Sequence, residues 1–234
     1  MAIISNETPL SELIINEPTV IPVINRFGIR LGIGDDTIAS VCEAKKLDPE
    51  FLLVILNTFI NEGYFPENTL RGFKASEIID YLTKTDRHYR QFQLPNIHRH
   101  FQLLLGAGSD TNNNLGLMYR FYQGLEHELL SLINYDLKEW FPAVVALERG
   151  SGNSHAIPAG KLDELEKTSL QIEEKLSDLR NMFIKHLTGD YDLNLCYAVI
   201  TAIFALEKDL RQNNRIRNRI LLPINRELLG KTKS

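Results

Sequence analysis

Apolar residues in this chain recur every three or four positions over long stretches, the spacing of helices that each turn one face to a core. Over residues 194–227 the line runs through Val199, Ile203, Leu206, Leu210 and Ile220. Asn213 and Arg217 continue the same stepping, so this helix aims an amide and a guanidinium where apolar neighbours should meet. A second helix repeats the pattern from Met118 through Tyr122, Leu125, Leu129 and Leu132 to Asp136 and Trp140. Leu132, Asp136 and Pro142 have the spacing of Asn213, Arg217 and Pro223, and Trp-Phe-Pro answers Leu-Leu-Pro. Such an echo predicts two helix pairs related by a pseudo-twofold, the plan of bundles that hold a metal pair between facing helices.

The remaining chain divides around these two helices. Residues 1–70 read as a small domain of short helices near 9–15, 19–27, 37–46 and 49–62, with Ser11 and Asp48 as caps and Asp35 or Asp36 opening the third. Gly28, Gly32 and Gly34 form a turn rather than a phosphate loop, because no strand precedes them and no Gly-Lys-Ser follows. Residues 63–72, with Gly63, Pro66 and Gly72, read as a linker. The second part, residues 74–229, holds four long helices. The first starts near Ser76 and reaches 105, and the second spans 115–147. The third spans 159–186, with its stripe at Leu162, Leu165, Ser169, Ile172, Leu176, Leu179 and Phe183. Short connections predict an all-α, antiparallel four-helix bundle, and the Gly-rich stretch 149–160 is its longest, most mobile connection.

These residues resemble the iron–sulfur cluster repair di-iron proteins, which join a small N-terminal domain to a hemerythrin-like bundle. In that family the second and fourth helices each carry a His, a carboxylate four residues on, and a Leu-Phe-Pro-like ending. The matching His positions here are Leu132 and Asn213, and the carboxylate positions are Asp136 and Arg217. On the first helix, residues 78–95, the resemblance places a His near Arg87; on the third it points to Ser169. A further His position falls in the loop 105–108, which holds none. The family's adjacent cysteines correspond to Leu31 and Gly32. The resemblance spans nearly the whole chain, with the ligands and the thiol pair replaced. Thiol chemistry needs a thiolate, and the two cysteines, Cys42 and Cys196, lie far apart and read as buried thiols.

Arg217 changes the expected chemistry most. A guanidinium stays protonated and repels a divalent cation. The resemblance sets its position opposite Asp136, which predicts a buried Asp136–Arg217 ion pair in the vacated metal cavity, with Asn213, Ser169 and Arg87 around it. The alternative is a fourth helix rotated so that Arg217 reaches solvent. None of the six histidines, His88, His98, His100, His127, His155 and His186, falls on a ligand position, though His88 lies one residue from Arg87. Arg211, Arg215 and Arg219 share a face that reads as solvated, with Glu207 and Arg211 an i,i+4 pair. No Gly-x-Ser-x-Gly, Walker-type or His-Glu-x-x-His motif is present.

A net charge of −4 offers no general attraction to nucleic acid or to an anionic membrane. No run approaches the roughly 18 apolar residues of a membrane span, and no signal segment opens the chain, so a cytoplasmic protein is expected. The expected function is that of a non-catalytic regulatory or interaction protein in the stress response, without a cofactor, working with a protein partner or a second copy of itself. Two alternatives stand beside it: a working di-iron protein of nitrosative or oxidative stress repair, and a sensor that holds a small ligand in the emptied bundle interior.

Overall fold

The computed structural model describes residues 3–107, 113–150 and 157–231, and within them the chain is helical throughout. Six short helices come first: α1 (Leu10–Asn16), α2 (Ile21–Arg26), α3 (Ile38–Lys45), α4 (Pro49–Ile60), α5 (Glu67–Gly72), with a 3-10 turn, Pro18–Val20, leading into α2, and then α6 (Ala75–His88), which opens the first of four long rods. Rod one continues from α6 through Tyr89–Gln93 into α7 (Leu94–Ala107). Rod two is α8 (Asn113–Tyr135), Asp136–Trp140 and α9 (Phe141–Glu148); rod three is α10 (Ala159–His186); rod four is α11 (Leu193–Ile216), Arg217–Leu221 and α12 (Leu222–Lys231).

Three rods therefore contain the same defect. In each, five residues form a π turn, and the residue after it donates to the carbonyl five back: Leu94 to Tyr89, Phe141 to Asp136, and Leu222 to Arg217. The next residue is Pro95, Pro142 or Pro223. A proline has no N–H, and its ring collides with the carbonyl four residues earlier, so an α turn is lost and a wider one takes its place. Tyr89, Asp136 and Arg217 open the three turns in register, which is why an echo of prolines marks three equivalent interior positions.

The rods run alternately. α7 packs on the first half of rod four, while α6 packs on α9 and on the π turn of rod four, so rod one opposes both. Rod three opposes rods two and four, as Lys175–Glu128, Arg180–Glu207 and Arg226–Asp163 show. Phe101 lies in the apolar end of the core, stacked on Tyr122 at 5.2 Å and edge-on to Phe183 at 5.4 Å. At the other end Glu148, finishing rod two, accepts from the N–H groups of Ala75 (2.6 Å) and Ser76 (3.1 Å) and so caps rod one.

Several local expectations are corrected. Ser11 lies within α1, which follows Pro9 without a side-chain cap. Thr37, not Asp35 or Asp36, caps α3 through the Ser40 N–H at 3.2 Å, while Asp48 caps α4 through Glu50 and Phe51. Part of the expected linker is α5. Half of the connection 149–160, residues 151–156, lies outside the described residues. The arginine face is not simply solvated: Arg215 and Arg219 sit over the Phe65 ring at 4.5 and 4.3 Å, and Arg219 pairs with Glu67 at 3.0 Å. That face fastens residues 64–67 to rod four. The buried apolar residues of the N-terminal helices and of the rods form one continuous cluster.

Truncating Phe101 to Ala should cost about 3–5 kcal/mol of unfolding free energy, read from urea denaturation, because three facing rings cannot all collapse into the space left.

Candidate functional site

The polar interior begins at the π turns of rods two and four. Asp136 and Arg217, 2 % and 5 % exposed, meet fork to fork: Nε donates to Oδ2 at 2.9 Å and Nη2 to Oδ1 at 2.8 Å. The guanidinium also lies 4.5 Å from the centre of the Trp140 ring, and its third nitrogen donates to the Leu165 carbonyl and to Asn218 Oδ1, each at 3.3 Å. Trp140 is held in turn by its indole N–H on Asn225 Oδ1 at 2.8 Å. Ser169, on rod three, accepts from Asn218 Nδ2 at 2.9 Å, and its backbone carbonyl accepts from Asn214 at 3.1 Å.

A second ion pair lies about two turns up rod four. Arg26, the last residue of α2, is only 4 % exposed and reaches Asp209 with both terminal nitrogens, one of them 3.0 Å from Oδ1, while donating to the Tyr81 hydroxyl at 3.1 Å. Asn213 bonds the upper pair and lines the same cavity as Asp136 and Arg217. Its Nδ2 lies 2.8 Å from the Asp209 carbonyl and 3.0 Å from Asp209 Oδ1, both pure acceptors, which fixes the orientation of the amide. The same nitrogen donates to the Tyr89 hydroxyl at 2.6 Å. Asn213 Oδ1 consequently faces elsewhere and has no hydrogen-bond partner.

Beside the Asp136–Arg217 pair is a small, partly enclosed cavity of about 20 Å³, lined among others by Asp86, Tyr89, Leu132, Asp136, Asn213 and Arg217, space for about one water. Asp86 is the third carboxyl of the interior. It keeps a small exposed part, but its Oδ2 is sealed from solvent without a partner. Burial first, and the charge of Asp136 second, push the Asp86 carboxyl well above the ordinary carboxylate range, against the pull of Arg217 and Arg26. Burial also raises the Asp136 carboxyl, which the Arg217 fork draws back. Three carboxyls face two guanidiniums, and the unpaired one is the group driven to hold its proton.

Of the residues singled out in the sequence, Leu132, Asp136, Asn213 and Arg217 converge on this cavity, and Ser169 stands behind Arg217. Arg87 does not: it is exposed, and its neighbour Asp86 occupies the interior position on rod one. Leu31 and Gly32 are exposed on a turn where Gly32 has φ +92°. His127 and His186 are exposed, His88 is half-buried on the outer side of rod one, and His155 lies outside the described residues. His98 is held by Glu126 at 3.2 Å and Tyr119 at 3.1 Å. The echo that marks Asp136 and Arg217 also marks Tyr89, six residues before Pro95. Arg26 and Asp209 carry no such signal, because their partnership spans 183 residues of chain.

The donor set does not fit a di-metal centre. Such sites use imidazoles and bridging carboxylates from all four helices, whereas no imidazole lines this cavity and a guanidinium covers both oxygens of Asp136. Among the described residues no three His, Cys, Asp or Glu side chains stand close enough to share an ion. Nor does about 20 Å³ admit a ligand of several atoms. No described helix is long and apolar enough to cross a membrane. No protein-family model matches this chain, and no curated protein matches its sequence.

Two outcomes follow from this geometry. Arg217→Met, which strands Asp136, should lower stability by about 3–5 kcal/mol in urea unfolding, and the pair Asp136→Leu with Arg217→Met should restore most of it. Asp86→Asn tests the raised carboxyl. Its folded-state value lies above its unfolded one, so its stabilising contribution is complete below about pH 4 and is lost as pH rises through the folded value. The stability of Asp86→Asn relative to the parent should therefore grow between pH 4 and 8; a constant difference would mean that Asp86 is ionised in the core.

Proposed function

We propose that the rods form a hemerythrin-like antiparallel four-helix bundle of the iron–sulfur cluster repair type that works without a metal pair, as a regulatory or interaction protein of the stress response. The observation that carries this reading is the two-pronged Arg217–Asp136 bridge at the point where facing helices of such a bundle would offer ligands. The three proline-bounded π turns support the common plan, since they bring Tyr89, Asp136 and Arg217 to one level. A bundle sealed by its own charges can present its outside. On α11 the apolar residues Leu193, Tyr197 and Phe204 stand exposed with Ile200 half-buried between them, at helical spacing. That stripe is the surface a protein partner or a second copy would use.

Metal analysis tests the reading. Protein purified anaerobically without a metal-affinity tag should carry iron, manganese and zinc far below one ion per chain, with no charge-transfer band. Near-stoichiometric iron with a band that disappears on Asp136→Ala would replace this reading with a working di-iron protein.

A further inference from the structure

A second cavity lies outside the bundle core, where α2 and the turn after it lean on rod one. Its volume is about 680 Å³, within the range of small-molecule sites at the junction of two structural units. Its charged lining is of one sign: Arg26, Lys84 and Arg87 contribute to it and no carboxylate does, while burial lowers the His88 imidazole toward its neutral form. Arg26 is neutralised from behind by Asp209, and Lys84 shares its charge with Asp80 at 2.6 Å. Arg87 makes no hydrogen bond or ion pair with the described residues, so a full positive charge remains at the cleft. Two buried polar atoms of lining residues also lack partners, Nε of Arg26, itself 4 % exposed, and Nε2 of His88. Beside them are flat apolar surfaces: Phe92, 62 % exposed, and Phe27, with the His88 and Phe92 rings 5.8 Å apart and inclined by 31°.

We propose that this cleft binds a small organic anion, a carboxylate or phosphate carried on a planar ring. The anionic head meets Arg87 and Lys84, while the ring lies against Phe92 and Phe27. A guanidinium with no internal partner is matched by a bidentate oxyanion, and an aromatic wall by a planar body. The site is separate from the Asp136–Arg217 cavity and does not depend on whether that cavity holds metal. It would give an otherwise non-catalytic chain a chemical input, read where the N-terminal helices meet the rods.

Calorimetric titration of the full chain with phenyl phosphate, benzoate, benzamide and inorganic phosphate tests this. Phenyl phosphate and benzoate should saturate one site, with benzamide and inorganic phosphate each weaker by about tenfold or more, because each lacks one half of the recognition. Arg87→Ala should weaken phenyl phosphate by about tenfold while leaving the melting temperature unchanged, since Arg87 holds nothing in the fold. Phe92→Ala, at an exposed position, should weaken phenyl phosphate without altering inorganic phosphate. Benzamide binding as well as benzoate would overturn the anion site, inorganic phosphate binding as well as phenyl phosphate would overturn the ring subsite, and no saturable binding of either aryl anion would overturn both. Unchanged affinity in Arg87→Ala would place any binding elsewhere and overturn the assignment.

Discussion

Charge taken out of water must be paired, and the interior of this protein is arranged around that constraint. An isolated carboxylate or guanidinium buried among leucines would cost more than a small domain's whole stability margin. Here each guanidinium is met by a carboxylate with both oxygens, and the remaining donors go to a hydroxyl, an amide and one backbone carbonyl, except for Nε of Arg26, which has no partner. The arrangement then dictates its surroundings. Trp140 must lie flat under Arg217, Asn225 must hold Trp140, and Asn213 must turn its amide nitrogen to Asp209. Such a network tolerates few single changes, because removing one member leaves its partner charged and dry.

The same constraint binds the N-terminal helices to the rods. Arg26 closes the upper pair from α2, so the core is incomplete without it, and Lys208 reaches back to Glu17 at 3.0 Å on the same side. Asn57 of α4 exchanges two hydrogen bonds with the backbone of Ile4, at 2.9 and 3.0 Å, which fixes the chain's beginning. Residues 64–67 are pinned beneath the arginines of rod four. A polar core shared between two sequence regions makes their relative placement part of the folded state rather than a loose tether. It also puts the basic cleft at a place whose shape depends on both.

The metal-site question turns on the same charges. Leu132 offers a cation no donor, and the guanidinium of Arg217 gives the field that a cation would meet the wrong sign. Asp86 then becomes the surplus acid. With one carboxyl more than these guanidiniums match, burial and the charge of Asp136 raise the group whose oxygen has no donor well above the ordinary carboxylate range.

Periodicity alone determined the helices, the direction each faces, and the presence of polar residues on two inward lines. The third helix runs over the residues its stripe predicts, and the proline echo marks positions that do share a level, because a proline's missing N–H acts on its own helix whatever surrounds it. Tyr89 was within reach of the same reasoning. Tertiary structure alone decided which polar groups meet. Arg26 finds Asp209 across 183 residues, and nothing in the short helix ending at Arg26 distinguishes it from a solvated terminus. The choice between Asp86 and Arg87 rests on a rotation of about 100° along rod one, finer than a resemblance of helices can resolve. Pairing of buried charge is a relation between distant segments, so it is written in no local pattern and appears only when the rods close.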